Sequence, residues 1–169
     1  GAERVGRPVF LMVSHNAALY AGLEELAAIA RAIKAKAKVP LFLHLDHAQS
    51  LEELERAFAL GFDSAMVEEG PLDFLKRARA LAGSRPLEVE LEVVPKGERQ
   101  GSRRPLEELL HLVDFVQPDW IAVDLGTVHK SLGERRLDLE RLRTLSSLRR
   151  PFVLHGGSSA EPASLRQAI

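Results

Sequence analysis

The chain has no cysteine among its 169 residues, which excludes disulfides, thiol nucleophiles and thiolate-bound zinc. Aromatic residues are scarce, at 5%, with one Trp and one Tyr. The arginine pairs Arg103–Arg104, Arg135–Arg136 and Arg149–Arg150 have no interleaved rings on which bases could stack, so they read as solvated helix ends or loops. Neither sign of charge is in excess. The formal net charge is −1, which gives no electrostatic reason to expect nucleic acid or an acidic membrane as partner. No apolar run approaches the roughly 20 residues that span a bilayer, and the opening GAERVGRPVF lacks an apolar targeting core. The expectation from these absences is a cytoplasmic protein.

What is present is a core. Hydrophobic residues make up 46% of the chain and charged residues 28%, a globular composition, and the length suits one domain spanning 1–169. Short apolar runs alternate with segments of helical spacing from end to end. Strands are expected at 9–14, 41–46, 64–68, 87–94, 120–126 and 151–155, and helices at 23–36, 51–60, 72–81, 106–116, 137–148 and 163–169. Strands that alternate with helices pair in parallel through right-handed crossovers. Both an open doubly wound sheet and a (β/α)8 barrel fit that pattern, with six strand–helix units represented.

In parallel α/β folds, ligands bind at the C-terminal ends of the strands. Those positions carry Ser14 and His15; His44, Asp46 and His47; Glu68 and Glu69; Glu90 and Glu92; Thr127 and His129; and His155, Gly156, Gly157 and Ser158. Five of the six histidines collect there, and only His111 lies in a helix segment. A single histidine at a strand end is usually structural, and His44 stays open between structure and site. His47, His129 and His155 on three separate strand ends instead suit zinc, for which three imidazoles and an open fourth position form a catalytic site. Asp46 adjoins one of these ligands and reads either as an ionised catalytic group or as a partner orienting an imidazole. Glu88, Glu90 and Glu92 alternate along one strand and need a metal or a base opposite them, unless they form a merely polar face. Gly156, Gly157 and Ser158 would offer backbone N–H groups to an anion such as phosphate at the start of the last helix.

The segments PLFLHLDHAQS, GFDSAMVE, VELE, AVDLGTVH and PFVLHGGSS, in this order and spacing, resemble the class II, metal-dependent fructose-bisphosphate and tagatose-bisphosphate aldolases. The resemblance covers most of 8–169. It implies a (β/α)8 TIM barrel with about six of its eight units in this chain. It implies His47, His129 and His155 as ligands of a catalytic Zn2+, Asp46 as acid/base, and Glu92 and Glu68 at a position that allows a second divalent metal. Ser14, Gly156, Gly157 and Ser158 become contacts to a small phosphorylated sugar. The implied reaction cleaves a ketose 1,6-bisphosphate to dihydroxyacetone phosphate and glyceraldehyde 3-phosphate, in a homo-oligomer (dimer or tetramer). Three departures stand out. Lys130 and Val94 each replace a family glycine, and residues 95–104 are shorter than the family's catalytic loop, leaving Glu98 as the nearest counterpart of its acid/base glutamate. A metal-binding paralogue without turnover and a metal-dependent hydrolase on a barrel are the alternative readings.

Overall fold

The computed structural model describes residues 1–95, 101–129 and 133–169. Lys130 and Glu98, singled out above, lie outside them. The chain divides into two compact units, Gly1–Glu88 and Val89–Ile169, and in each of them strands alternate with helices.

In the first unit, β1 (Val9–Ser14) pairs in parallel with β2 (Leu41–Ala48), and β2 pairs in parallel with β3 (Ser64–Val67). Helices α1 (Ala2–Val5), α2 (His15–Ala21), α3 (Leu23–Lys34), α4 (Leu51–Ala59) and α5 (Leu72–Ala82) fill the intervals. All four residues of β3 are buried, as expected for a parallel strand covered on both faces. Leu45 of β2, Leu54 and Ala57 of α4, Ala65 and Met66 of β3 and Ala78 of α5 are fully buried and form the core. Helix α4 starts where a cap is available: Ser50 Oγ accepts from the Glu53 backbone N–H at 3.1 Å.

Helix α2 was not expected. It buries none of its residues fully and so leaves no apolar stripe to read. Its start is fixed locally, by Ser14 Oγ accepting from the Ala17 N–H at 3.2 Å. Its end is fixed by Gly22 at φ +85°, where a Cβ would collide with the Glu25 carboxylate.

In the second unit, β4 (Leu87–Glu90) carries the chain in from the first. It is followed by α6 (Leu106–Val116), β5 (Trp120–Ala122), α7 (Leu139–Leu145) with a 3-10 turn over Ser146–Leu148, β6 (Phe152–Val153), a second 3-10 turn over Gly157–Ser159, and α8 (Pro162–Ala168). β5 and β6 are parallel, with Ile121 opposite Phe152. Leu91, Leu109, Ile121, Val123 and Leu145 form the core of this unit.

Helix α6 has the bounds its spacing predicts. The later strands are shorter than expected because their polar ends turn away into side-chain contacts: Glu90 accepts from the Val94 N–H at 3.3 Å, and Asp124 accepts from the Gly126 N–H at 2.8 Å. Strand β2 is longer than expected, for a reason that concerns the site. Among the described residues, no helix is long and apolar enough to cross a membrane.

Leu45 is completely buried between β1 and β3. Leu45→Ala is expected to cost about 2–5 kcal/mol, read as a lower urea midpoint at unchanged slope.

Candidate functional site

The end of β2 contains one residue too many. Leu45 lies opposite Ala65 and Ala48 opposite Val67, so three steps on β2 meet two on β3. His47 absorbs the surplus at φ +60°, a left-handed conformation that costs a non-glycine residue about 1–2 kcal/mol and that bulges use to re-aim side chains. In a regular strand, Asp46 and His47 would face opposite ways. Here His47 Nε2 lies 3.7 Å from Asp46 Oδ1, while His47 Nδ1 is held by Glu68 Oε1 at 2.9 Å. A carboxylate behind an imidazole in this way fixes the ring's orientation. Asp46 Oδ1 is buried and makes no hydrogen bond among the described residues.

Two neighbouring histidines differ in kind. His44 is buried, with Nδ1 at 2.8 Å from Ser64 Oγ and Nε2 at 3.8 Å from Glu88 Oε2, so it belongs to the interior of the first unit. His15 directly follows β1 and is gripped by both oxygens of Glu53, at 2.8 and 3.0 Å from Nδ1. Glu53 carried no signal in the sequence beyond that of an acidic first-turn residue. Ser14, expected at the substrate, has its hydroxyl engaged as the α2 cap.

The second unit brings His129 and His155 together, with ring centres 5.7 Å apart and edge to face. Thr127 Oγ1 donates to the His155 carbonyl at 2.6 Å. Gly156, at φ +64°, lets this turn approach closely: a Cβ there would lie 3.0 Å from the Val128 carbonyl carbon and 3.2 Å from the His129 nitrogen. Ser159, which sequence reasoning missed, ties the same two segments. Its hydroxyl accepts from the Val128 N–H at 3.1 Å and donates to the Gly156 carbonyl at 2.8 Å. The expectation that Gly156, Gly157 and Ser158 open the last helix is corrected. They enter a 3-10 turn over Gly157–Ser159, with Ser158 exposed, and α8 begins only at Pro162.

Glu92 is fully buried, and its carboxylate is already matched. It pairs with the Arg141 guanidinium and accepts from the backbone N–H groups of Arg104, at 2.6 Å, and Asp124, at 3.1 Å. A carboxylate neutralised in this way is a poor further ligand for a dication. Arg103 is exposed, as its reading as a solvated residue expects, and Arg104 is half-buried; both are also ion-paired. Arg103 bridges Asp124 at 3.1 Å and Asp138 at 2.8 Å, and Arg104 pairs with Glu108. Burial alone would lower the Arg103 pKa, but the two carboxylates outweigh it and raise the value. The Arg141 N–H and the Arg103 guanidinium together hold the Asp138 carboxyl below its usual range.

The profile of the class-II fructose-bisphosphate aldolase family matches residues 1–169. A sulfofructosephosphate aldolase of Alkalicoccus urumqiensis is 28% identical, over 99% of this chain and 64% of that protein. A fructose-bisphosphate aldolase of Giardia intestinalis is 32% identical, over 96% of this chain and 56% of that protein. The crystal structure of the YdjI aldolase from Escherichia coli K12 superposes with a TM-score of 0.82 at 23% identity, over 99% of this chain and 63% of that one. This last likeness speaks for the fold alone. The chain thus spans between half and two thirds of the length of the relatives it matches.

The two glycines of this turn should respond differently to a methyl group. Gly156→Ala adds left-handed strain and a close contact, and is expected to cost about 2 kcal/mol or more. Gly157→Ala would meet only the Leu154 side chain, at 3.5 Å or beyond, and should stay within about 1 kcal/mol. Thermal denaturation of the two variants side by side checks this.

Proposed function

Because the chain belongs to the class-II fructose-bisphosphate aldolase family, we propose that it carries the chemistry of a metal-dependent aldolase acting on a ketose phosphate. The family's reference substrate is a ketose 1,6-bisphosphate. The observation that supports this reading most is the bulge that sets Asp46 beside His47 while Glu68 orients the imidazole. A strained residue placed at the C-terminal end of a parallel strand is better explained by chemistry than by packing.

A bound dication is part of this proposal. His47, His129 and His155 would hold Zn2+, a donor set suited to that ion, and the buried, unsatisfied Asp46 Oδ1 supplies the negative charge such an ion would balance. When bound, the metal supplies Lewis acidity toward the substrate ketone. Asp46 accepts the C4 hydroxyl proton as the C3–C4 bond breaks. The electron pair of that bond passes toward the C2 carbonyl, and the C4 fragment leaves as an aldehyde. In condensation Asp46 returns the proton. Glu68 keeps the His47 ring in place throughout. A second acid must then protonate C3; Glu98, expected for that role, lies outside the described residues. Glu92 has no place at a second metal in this reading, because Arg141 already serves as its cation. Gly156, Gly157 and Ser158 remain the proposed phosphate contacts, offered from a turn rather than a helix. A full (β/α)8 barrel, a homo-oligomer and a cytoplasmic setting complete the proposal.

The test is release of triose phosphate from a panel of ketose phosphates, with and without added zinc. Cleavage is expected, lost on chelation, and lowered about 100-fold or more in kcat by Asp46→Asn, the range for losing a general acid–base group. Cleavage that Asp46→Asn leaves unchanged would contradict the assignment, as would no cleavage of any member of the panel by zinc-loaded protein.

A further inference from the structure

His129 and His155 stand on two separate segments of the second unit, and each is held at its own backbone. The His155 carbonyl accepts from Thr127 Oγ1 at 2.6 Å, and the His129 N–H donates to the Pro95 carbonyl at 2.9 Å. The two segments also grip each other reciprocally. Thr127 reaches from the segment that leads into His129 to the backbone of His155. Ser159, four residues after His155, reaches back to the Val128 N–H at 3.1 Å, next to His129.

Both hydroxyls lie inside the unit, with Thr127 0% and Ser159 2% exposed. Ser159 is fixed at its backbone as well: its N–H donates to the Gly156 carbonyl at 3.0 Å, and its carbonyl accepts from the Arg135 N–H at 2.6 Å. A buried carbonyl that loses its donor is costly, so the Thr127 hydroxyl is a firm tie on His155.

What these ties fix is a spacing. Two imidazole nitrogens on one tetrahedral zinc, each about 2 Å from the ion, place their ring centres about 5 Å apart. The centres of His129 and His155 lie 5.7 Å apart. Side chains already held near the bound arrangement lose less freedom when the ion arrives, and that gain appears as affinity.

We infer that Thr127 is a positioning residue for zinc: its hydroxyl holds His155 at the spacing from His129 that one ion requires, with Ser159 as its counterpart from the other segment. The inference rests on the three-histidine site of the aldolase reading and assigns a source for the affinity of that site.

The test is zinc affinity of the whole chain, measured by competition with a chromophoric chelator, for the parent, Thr127→Val and Thr127→Ser. Valine keeps the branched shape and removes the hydroxyl, whereas serine keeps the hydroxyl and removes the methyl. Thr127→Val is expected to weaken zinc binding about 10–100-fold, the range for losing a group that orients a metal ligand, and Thr127→Ser to bind as the parent does. If the parent binds zinc and Thr127→Val binds it equally well, or Thr127→Ser is weakened as much as Thr127→Val, the inference falls and the aldolase reading stands. If the parent binds no zinc, both fall. Should Thr127→Val fail to fold by circular dichroism, Ser159→Ala carries the same expected weakening, and parental affinity in that variant overturns the inference.

Discussion

The extra residue in β2 is the constraint on which the candidate site of the first unit depends. Parallel pairing with β1 and β3 holds the strand in register up to Leu45, and a regular continuation would send Asp46 and His47 to opposite faces of the sheet. Placing both side chains on one side requires a local break in the pleat, and the positive φ of His47 is its conformational cost. That cost is met by the fully buried Leu45 and Ala48 on either side and by the Glu68 carboxylate on the imidazole. Removing any of these supports would let the strand relax and separate the two groups that the proposed chemistry needs together.

The second unit solves a comparable problem with glycine and serine. His129 and His155 come from segments that must approach closely, and a Cβ at Gly156 would stand in the way. Ser159 then ties the two segments through the Val128 N–H and the Gly156 carbonyl. Just beyond the end of β4, the buried carboxylate of Glu92 is neutralised by Arg141 and two backbone N–H groups, a satisfied network of the kind a folded interior tolerates.

Much of this was legible in the sequence, and what was not has physical causes. Alternating apolar runs and helical stripes gave the α/β pattern because burial imposes those periods directly, and α6 matched to the residue. The clustering of histidines at strand ends identified Asp46, His47, His129 and His155 as the residues to examine. Helix α2 was hidden because it buries no face. The bulge was hidden because nothing in HLDH announces a φ. The partners of Glu92 were hidden because Arg141 lies 49 residues away in the chain, and long-range ion pairs leave no periodic trace. Glu53 and Ser159 were missed for the same reason: each looks like an ordinary helix-start or turn residue until its distant partner is known.

The most direct test of the account is the metal content of protein purified without added metal, with His47→Ala, His129→Ala and His155→Ala measured in parallel. The three-histidine reading predicts about one zinc per chain, lost in each variant, and no second equivalent displaced by Glu92→Gln. Metal that survives all three substitutions, or a parent chain that binds none even when zinc is supplied, would contradict it.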